Sequence, residues 1–406
     1  REMKAKCEKC GKDAIFFDVN LQAWLCEDCV KEEYKTFDLD GFMEGNSENI
    51  YNSEFNNILT AMEKLCNSIS ESNNKRIERQ FKNTPYSKDL NELLSNITKD
   101  RLVKIAENLG VKKVYKYKKQ ELAKVVLSSY ENLILEKFNL LDEKTLKILR
   151  KYLKNDGERF HDNVSNDERI YSDYFIEIGA IFPVENNEGK RVFLMPTITQ
   201  EIVKSLQDFY VRLKIKNNTK IISLYKGMVR AYGLLEVYKI IEFVKQYLVE
   251  EYDRKELFSL LNEGSKYSDD YIVEGEFVFN SNIDNYIALY NEINKKMKYS
   301  DYRKFSESEL ISLSTSNWEV DNSYAKDFKK RFLKYFIMSE EEIDDFLKFL
   351  YATAQEKSLD EILNEIKSMI QEEEAKEIGL DIIKKYVVSV PIWANKGRCM
   401  NDLKIK

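Results

Sequence analysis

The sequence predicts a mostly α, multidomain architecture with small β elements, and three observations carry that expectation. Only four prolines and 13 glycines occur in 406 residues, too few for a loop-rich β architecture. Apolar residues recur at three- and four-residue spacing through most of the chain, the mark of helices with one buried stripe. Two Cys-x2-Cys pairs near the N-terminus bracket a hairpin-length stretch, which sets a small unit apart from the helical mass after it. An apolar fraction of 43% and an aromatic fraction of 12% exclude a disordered chain, and the length predicts two to four domains. No apolar run approaches the roughly 18–20 residues of a membrane span. The N-terminal stretch has no apolar h-region, so no secretory signal is expected.

The first segment, residues 1–40, carries the strongest chemical signal. Cys7-Glu-Lys-Cys10 and Cys26-Glu-Asp-Cys29 stand fifteen residues apart. Each pair places two sulfurs on one tight knuckle, and together they supply the four thiolates that tetrahedral zinc takes. Between them, Ala14 to Asp18 and Trp24-Leu25 are aromatic and apolar enough for a short hairpin, and Val30 to Tyr34 begins a helix. Knuckle, hairpin, knuckle and helix resembles a treble-clef or zinc-ribbon module. Four thiolates leave no open coordination position, so the expected role of the zinc is structural. Cys66 and Cys399 remain as unpaired cysteines far apart in sequence, a usage that fits a reducing cytosol, and a cytoplasmic location is expected.

After an acidic link, residues 50–85 form a helix and linker. Phe55, Ile58, Leu59, Met62, Leu65, Cys66 and Ile69 make its apolar stripe, and Lys75 to Arg79 sits in its polar tail. Residues 90–135 form a helix–loop–helix. Thr98 is the N-cap candidate, Leu102, Ile105, Ala106 and Leu109 are the inner face, and Gly110 closes the helix, with a second helix from about Lys118. On Leu102, Ile105-Ala106, Leu109-Gly110-Val111 and Lys119-Gln120-Glu121-Leu122, this unit resembles the N-terminal helical module of transcription termination factor Rho and, more loosely, the SAP module. The resemblance covers about thirty residues and implies assistance to RNA or DNA binding. Residues 140–210 read as winged-helix-like: helices at Leu146–Leu153 and Asp167–Ile178, strands at Ala180–Glu185 and Lys190–Leu194 around the turn Asn186 to Gly189, and a helix after Pro196. Residues 215–282 repeat the plan, with helices at Ile221–Ala231, Leu235–Val249 and Asp253–Leu261 and a strand-like Tyr271–Phe279. Residues 283–406 form an acidic helical C-terminal region with capping boxes at Ser339/Glu342 and Ser358/Glu361. The final Pro391-Ile-Trp393 and Gly397 resemble tails of uncharacterised Firmicutes proteins that often precede a SEC-C metal motif. Cys399-Met400 departs from that pattern, and the resemblance implies no activity.

Charge is uneven on a chain of net charge −6. Residues 97–130 hold nine Lys/Arg against three Asp/Glu, residues 210–230 hold six and none, and residues 339–377 hold thirteen Asp/Glu against four Lys. Lys112, Lys113, Lys116, Lys118 and Lys119, with Tyr115 and Tyr117 between them, and the later Lys226 and Arg230, are the candidate contacts to nucleic-acid phosphates. Val211 to Lys216 reads as a basic strand or a polar helix end. No catalytic residue is expected. The single histidine, His161, reads as a solvated loop residue, and no glycine-rich phosphate loop or nucleophile elbow is present. The expected function is a non-catalytic, zinc-stabilised nucleic-acid-associated protein of bacterial or phage origin, with DNA or RNA as partner. The alternative is an adaptor or inhibitor that meets a protein partner through its acidic helices.

Overall fold

The computed structural model describes residues 5–18, 21–34, 81, 83–370 and 372–403. The chain is mostly α with small β elements. It divides into two compact units, each assembled from separated stretches. The first comprises Arg1–Ser47, Leu224–Glu236 and Phe277–Lys406, and the second Glu48–Ser223 and Val237–Glu276. This division cuts across the six segments read from the sequence: the cysteine module belongs with the C-terminal helices, and residues 215–282 are shared between the units. The stripe Phe55–Ile69, with Cys66, and the segment Lys75–Arg79 lie outside the described residues.

In the first unit, β1 (Phe16–Asp18) and β2 (Ala23–Leu25) pair antiparallel with Phe17 opposite Trp24, and helix α1 (Glu27–Tyr34) follows. The second unit opens with α2 (Leu90–Asn96), α3 (Lys99–Leu109) and α4 (Lys119–Phe138). Thr98 accepts the Arg101 N–H at 3.4 Å and Gly110 ends α3 in the left-handed region, so both expected caps are in place. Leu102, Ile105, Ala106 and Leu109 are all buried. Next come α5 (Glu143–Lys151), β3 (Glu158–Phe160), α6 (Asn166–Glu177), β4 (Phe182–Glu185), β5 (Arg191–Leu194) and α7 (Thr197–Ser205). The expected hairpin is β4–β5, with Val184 opposite Val192. β3, which sequence reading did not find, adds to the free edge of β5 and makes the order β3-β5-β4.

Helix α8 (Phe209–Tyr232) carries residues of both units and absorbs Val211–Lys216, which is helical rather than a strand. It stops at Gly233, and the short strand β6 (Leu234–Glu236) stands where a helix from Leu235 was expected. The second unit then resumes with α9 (Val237–Lys245), α10 (Arg254–Gly264) and β7 (Tyr271–Glu274). The first unit continues with β8 (Phe277–Asn280), antiparallel to β6, and seven helices: α11 (Tyr286–Met297), α12 (Glu307–Leu313), α13 (Trp318–Asp321), α14 (Ser323–Phe332), α15 (Glu340–Glu356), α16 (Leu359–Met369) and α17 (Glu373–Val387). Both capping boxes expected here are formed. The tail packs into the same unit. Trp393 Nε1 donates to the Arg230 carbonyl at 2.9 Å, and its ring lies where a Cβ on Gly233 would stand, 2.4 Å from Cγ. With φ of +71°, Gly233 is fixed by backbone conformation and by close approach together.

The core of the second unit is built on tyrosine. Tyr130 donates to the Gly179 carbonyl at 2.8 Å, Tyr152 pairs with Ser172 at 2.7 Å, Tyr267 donates to the Leu140 carbonyl at 2.8 Å and Tyr271 to the Leu261 carbonyl at 3.0 Å. Each buried phenol needs such a partner, because an unpaired buried hydroxyl costs about 1–3 kcal/mol. Tyr174 donates to Glu263 Oε1 at 2.8 Å, while Glu263 Oε2 meets Lys137 at 2.8 Å and Lys266 at 3.4 Å. Glu263 is 2% exposed, so its charge is held inside the unit by these donors.

Removing one member of this buried group should cost more than neutralising the pair. Glu263→Ala strands the Lys137 ammonium and the Tyr174 hydroxyl and is expected to lower stability by about 3 kcal/mol or more, whereas Lys137→Met with Glu263→Gln, which keeps an acceptor for Tyr174, should cost less. Urea midpoints of the three chains check this. Equal losses for the single and double variants would contradict it.

Candidate metal centre

Local geometry brings the four thiols together. The first knuckle closes when Cys7 N–H donates to the Lys12 carbonyl at 2.7 Å and Gly11 N–H to the Cys7 carbonyl at 2.7 Å. Gly11 takes φ of +74°, the conformation that lets the turn close so tightly. The second knuckle runs into α1, where Val30 N–H donates to the Cys26 carbonyl at 3.0 Å and Glu27 and Asp28 occupy the electropositive first turn. The hairpin ties the two together: Glu8 N–H donates to the Trp24 carbonyl and Ile15 N–H to the Leu25 carbonyl, both at 3.0 Å.

The sulfurs of Cys7, Cys10, Cys26 and Cys29 all lie within 4.8 Å of one another, and Cys10 Sγ is 3.4 Å from Cys26 Sγ. A tetrahedral ion with sulfur ligands at ~2.3 Å needs sulfur–sulfur spacings of about 3.8 Å, so this cluster is of the right size. Three of the four thiols are buried and Cys10 is exposed. Cys399 is buried elsewhere, with its N–H on Asp402 at 3.0 Å, and it is not part of the group.

The thiols do not share ionisation evenly. Burial works against a Cys7 thiolate, but N–H donors from Cys26, Cys10 and Lys9 outweigh it and bring that group down to about 6. The Cys10 sulfur beside it, and then burial, push Cys29 up to about 12. One thiolate forms readily and the next is resisted by the first, as expected where several like groups crowd one site. A cation at the centre reverses this, since a coordinated thiol gives up its proton.

The hairpin has a seat that the sequence did not reveal. Phe17 is fully buried. Its N–H donates to the Tyr335 carbonyl, its carbonyl accepts from Ile337 N–H at 3.2 Å, and its ring meets Phe336 at 6.1 Å and Trp24 at 5.4 Å. The Gln22 side chain donates to the Met369 carbonyl at 3.1 Å. Nothing in the local pattern of Phe16-Phe17 announces partners more than three hundred residues away.

The basic candidates separate. Lys112, Lys113, Lys116 and Lys118 are exposed and Lys119 is half-exposed, around the turn Val114–Lys116 and the start of α4 in the second unit. None of the five forms an ion pair with another described residue. Tyr115 stands 77% exposed among them. Lys226 and Arg230 lie instead on the part of α8 in the first unit. Arg230 is taken up by the fold: it sits 3.6 Å from Glu319 and donates to the Thr315 carbonyl, so it is not presented to a polyanion. His161 also departs from the solvated loop expected of it. Its ring is 22% exposed and packs against Phe81 at 5.5 Å and Phe193 at 5.7 Å. Its Nδ1 is 3.3 Å from Asp162, whose carboxylate is fully in solvent.

Among the described residues, no helix is long and apolar enough to cross a membrane. Comparisons of the chain with protein-family models, with curated proteins and with solved structures each found no match.

The thiol cluster predicts metal binding coupled to proton release. One divalent ion per chain is expected, with protons freed on binding and affinity rising with pH, because the thiols of Cys10 and Cys29, held above their usual range, must be deprotonated. Calorimetry in buffers of different ionisation enthalpy counts the protons. Cys26→Ser should abolish stoichiometric binding, and an unchanged stoichiometry would exclude this site.

Proposed function

We propose that the chain is a non-catalytic, zinc-stabilised binding protein that acts on nucleic acid through its second unit. The observation that carries this reading is the group Lys112, Lys113, Lys116, Lys118 and Lys119 around the exposed ring of Tyr115. Five ammonium groups with no ion pair among the described residues are what a phosphate backbone displaces its own counterions to meet, and an exposed phenol ring offers a face to an unstacked base. The resemblance of this segment to the Rho N-terminal module supports the same reading. So does the neighbouring helix–strand–helix–hairpin order, which fits a winged helix.

Zinc is the metal that four thiolates in a compact tetrahedral set favour. With every position filled by sulfur, no site for water or substrate is left, so the ion's role is to order the N-terminal module. That module then presents its outer face, including the exposed Ile15 and Leu21, as a surface for a partner.

The expected outcome is salt-sensitive binding to DNA or RNA, with log Kd against log salt rising by about 0.7 to 0.9 per phosphate contact. Lys116→Glu, Lys118→Glu and Lys119→Glu together should abolish binding at low ionic strength and leave the melting temperature within about 2 °C, because exposed substitutions cost little stability. If the unaltered chain binds no DNA or RNA at low salt, this reading fails. A protein partner for the acidic helices of residues 339–377 then takes its place.

A further inference from the structure

A cleft in the second unit gathers residues that no local motif joins. Its volume is about 300 Å³, at the small end of ligand pockets and suited to one compact molecule. The floor is aromatic. Phe81 and Phe193 lie 5.6 Å apart, both buried, and they back the His161 ring, which is the part of the floor that stays open. The walls are charged: Arg101 and Lys104 come from α3, and Arg169 and Glu177 from α6.

Arg101 is the informative member. Its Nη1 donates to Thr84 Oγ1 at 2.9 Å, whereas its Nη2 is buried and finds no acceptor among the described residues. A buried guanidinium N–H left without an acceptor is costly, and an oxyanion in the cleft would satisfy it. Lys104 and Arg169 form no ion pair among the described residues and add positive charge at the same place. Asp173 and Glu177, on successive turns of α6, would repel a bare anion, but Glu177 can accept from a ring amino group. The lining therefore asks for three properties in one molecule: a flat aromatic face, an anionic group and N–H donors.

We propose that this cleft binds a single nucleotide, with the base against the His161 ring that Phe81 and Phe193 back, its amino group toward Glu177 and its phosphate on Arg101, with Lys104 and Arg169 beside it. The site is separate from the Lys112–Lys119 surface, none of whose residues lines it. The nucleotide can be free or can be the 5′-phosphorylated end of a strand, since the chemistry presented to the cleft is the same.

The test titrates the full chain with AMP, CMP, GMP and UMP, and with adenosine and inorganic phosphate as partial ligands. Saturable binding of AMP with Kd on the order of 0.1 mM is expected, at least tenfold tighter than adenosine or phosphate. UMP, which lacks an amino group, should bind more weakly than AMP or CMP. Arg101→Gln keeps a donor for Thr84 and should weaken AMP tenfold or more. If that chain does not fold, Lys104→Ala with Arg169→Ala, both outside the core, serves instead. Reversal of Lys116, Lys118 and Lys119 should leave AMP affinity unchanged even where it abolishes strand binding, so the two readings fail separately. A short single strand with a 5′-phosphate that outcompetes AMP supports a strand end as the occupant, and one that does not supports a free nucleotide. Absence of saturable mononucleotide binding overturns the proposal. So does phosphate binding as tight as AMP, AMP binding indifferent to both sets of substitutions, or loss of AMP binding on reversal of the three lysines.

Discussion

The backbone of Phe17 holds the N-terminal module to the rest of the first unit. Two strands of three residues cannot sustain a hairpin in water. The thiol cluster fixes one end, and at the other Phe17 exchanges hydrogen bonds with Tyr335 and Ile337 and inserts its ring beside Phe336. Phe336 stacks on Phe332 at 4.2 Å and Phe332 on Phe328 at 5.1 Å, so the small hairpin ends a file of aromatic rings running into the helical core. Metal binding energy in such modules is folding energy, of order 10 kcal/mol. An ion held by the four thiols would order a segment that also covers Phe336. Its loss would then be felt by the C-terminal helices as well as by the first thirty residues, and an isolated N-terminal module would expose the face of Phe17.

The second unit is organised by polar atoms placed inside an apolar core. A tyrosine fills as much space as a phenylalanine but accepts only those positions where its hydroxyl meets a partner. Tyr130, Tyr152, Tyr174, Tyr267 and Tyr271 each find one, on loops, a helix end, Ser172 within α6 or Glu263, so the register of α4, α6 and α10 is set by hydrogen bonds as well as by shape. Burial raises the pKa of Tyr130, and the Tyr174 group moves the same way with Glu263 beside it. Both phenols stay neutral donors through the physiological range, as this architecture requires.

How much of this was legible follows from the range of each interaction. Caps and turns are local, so Thr98, Gly110, Asn186 to Gly189 and the two serine capping boxes could be read directly. The metal cluster was legible because each knuckle is local and the chemistry of four thiolates is specific. Arg230 was misjudged because charge in a sequence does not disclose a partner such as Glu319, ninety residues on. β3 and β6 have three residues each and no alternation to detect, and they exist because a longer neighbour, β5 or β8, offers an edge. The abundance of tyrosine, which resembles a compositional habit, becomes structural only when the hydroxyl partners are seen. The cleft was hidden for the same reason: Arg101, His161, Arg169 and Phe193 come from four segments and share no spacing.

An acidic chain can still hold a site for a polyanion because electrostatics in solution is short-ranged. The Debye length at physiological salt is about 8 Å, so a phosphate near Lys116 responds to the lysines of that turn rather than to a net charge of −6. Much of the acidity is also tied down locally. Lys348 pairs with Asp345, Lys357 with Glu365, and Lys376 with Glu373. The first two pairs are open to solvent and contribute little to stability, yet all three reduce the field of the helices that carry them. The lysines of residues 112–119 form no such pair among the described residues. On the nucleic-acid reading proposed for this turn, the exposed Tyr115 ring would add stacking on a base, worth about 1–3 kcal/mol. Charge would then bring a strand to the turn and the ring would hold an unpaired base, a combination that favours single-stranded over duplex nucleic acid.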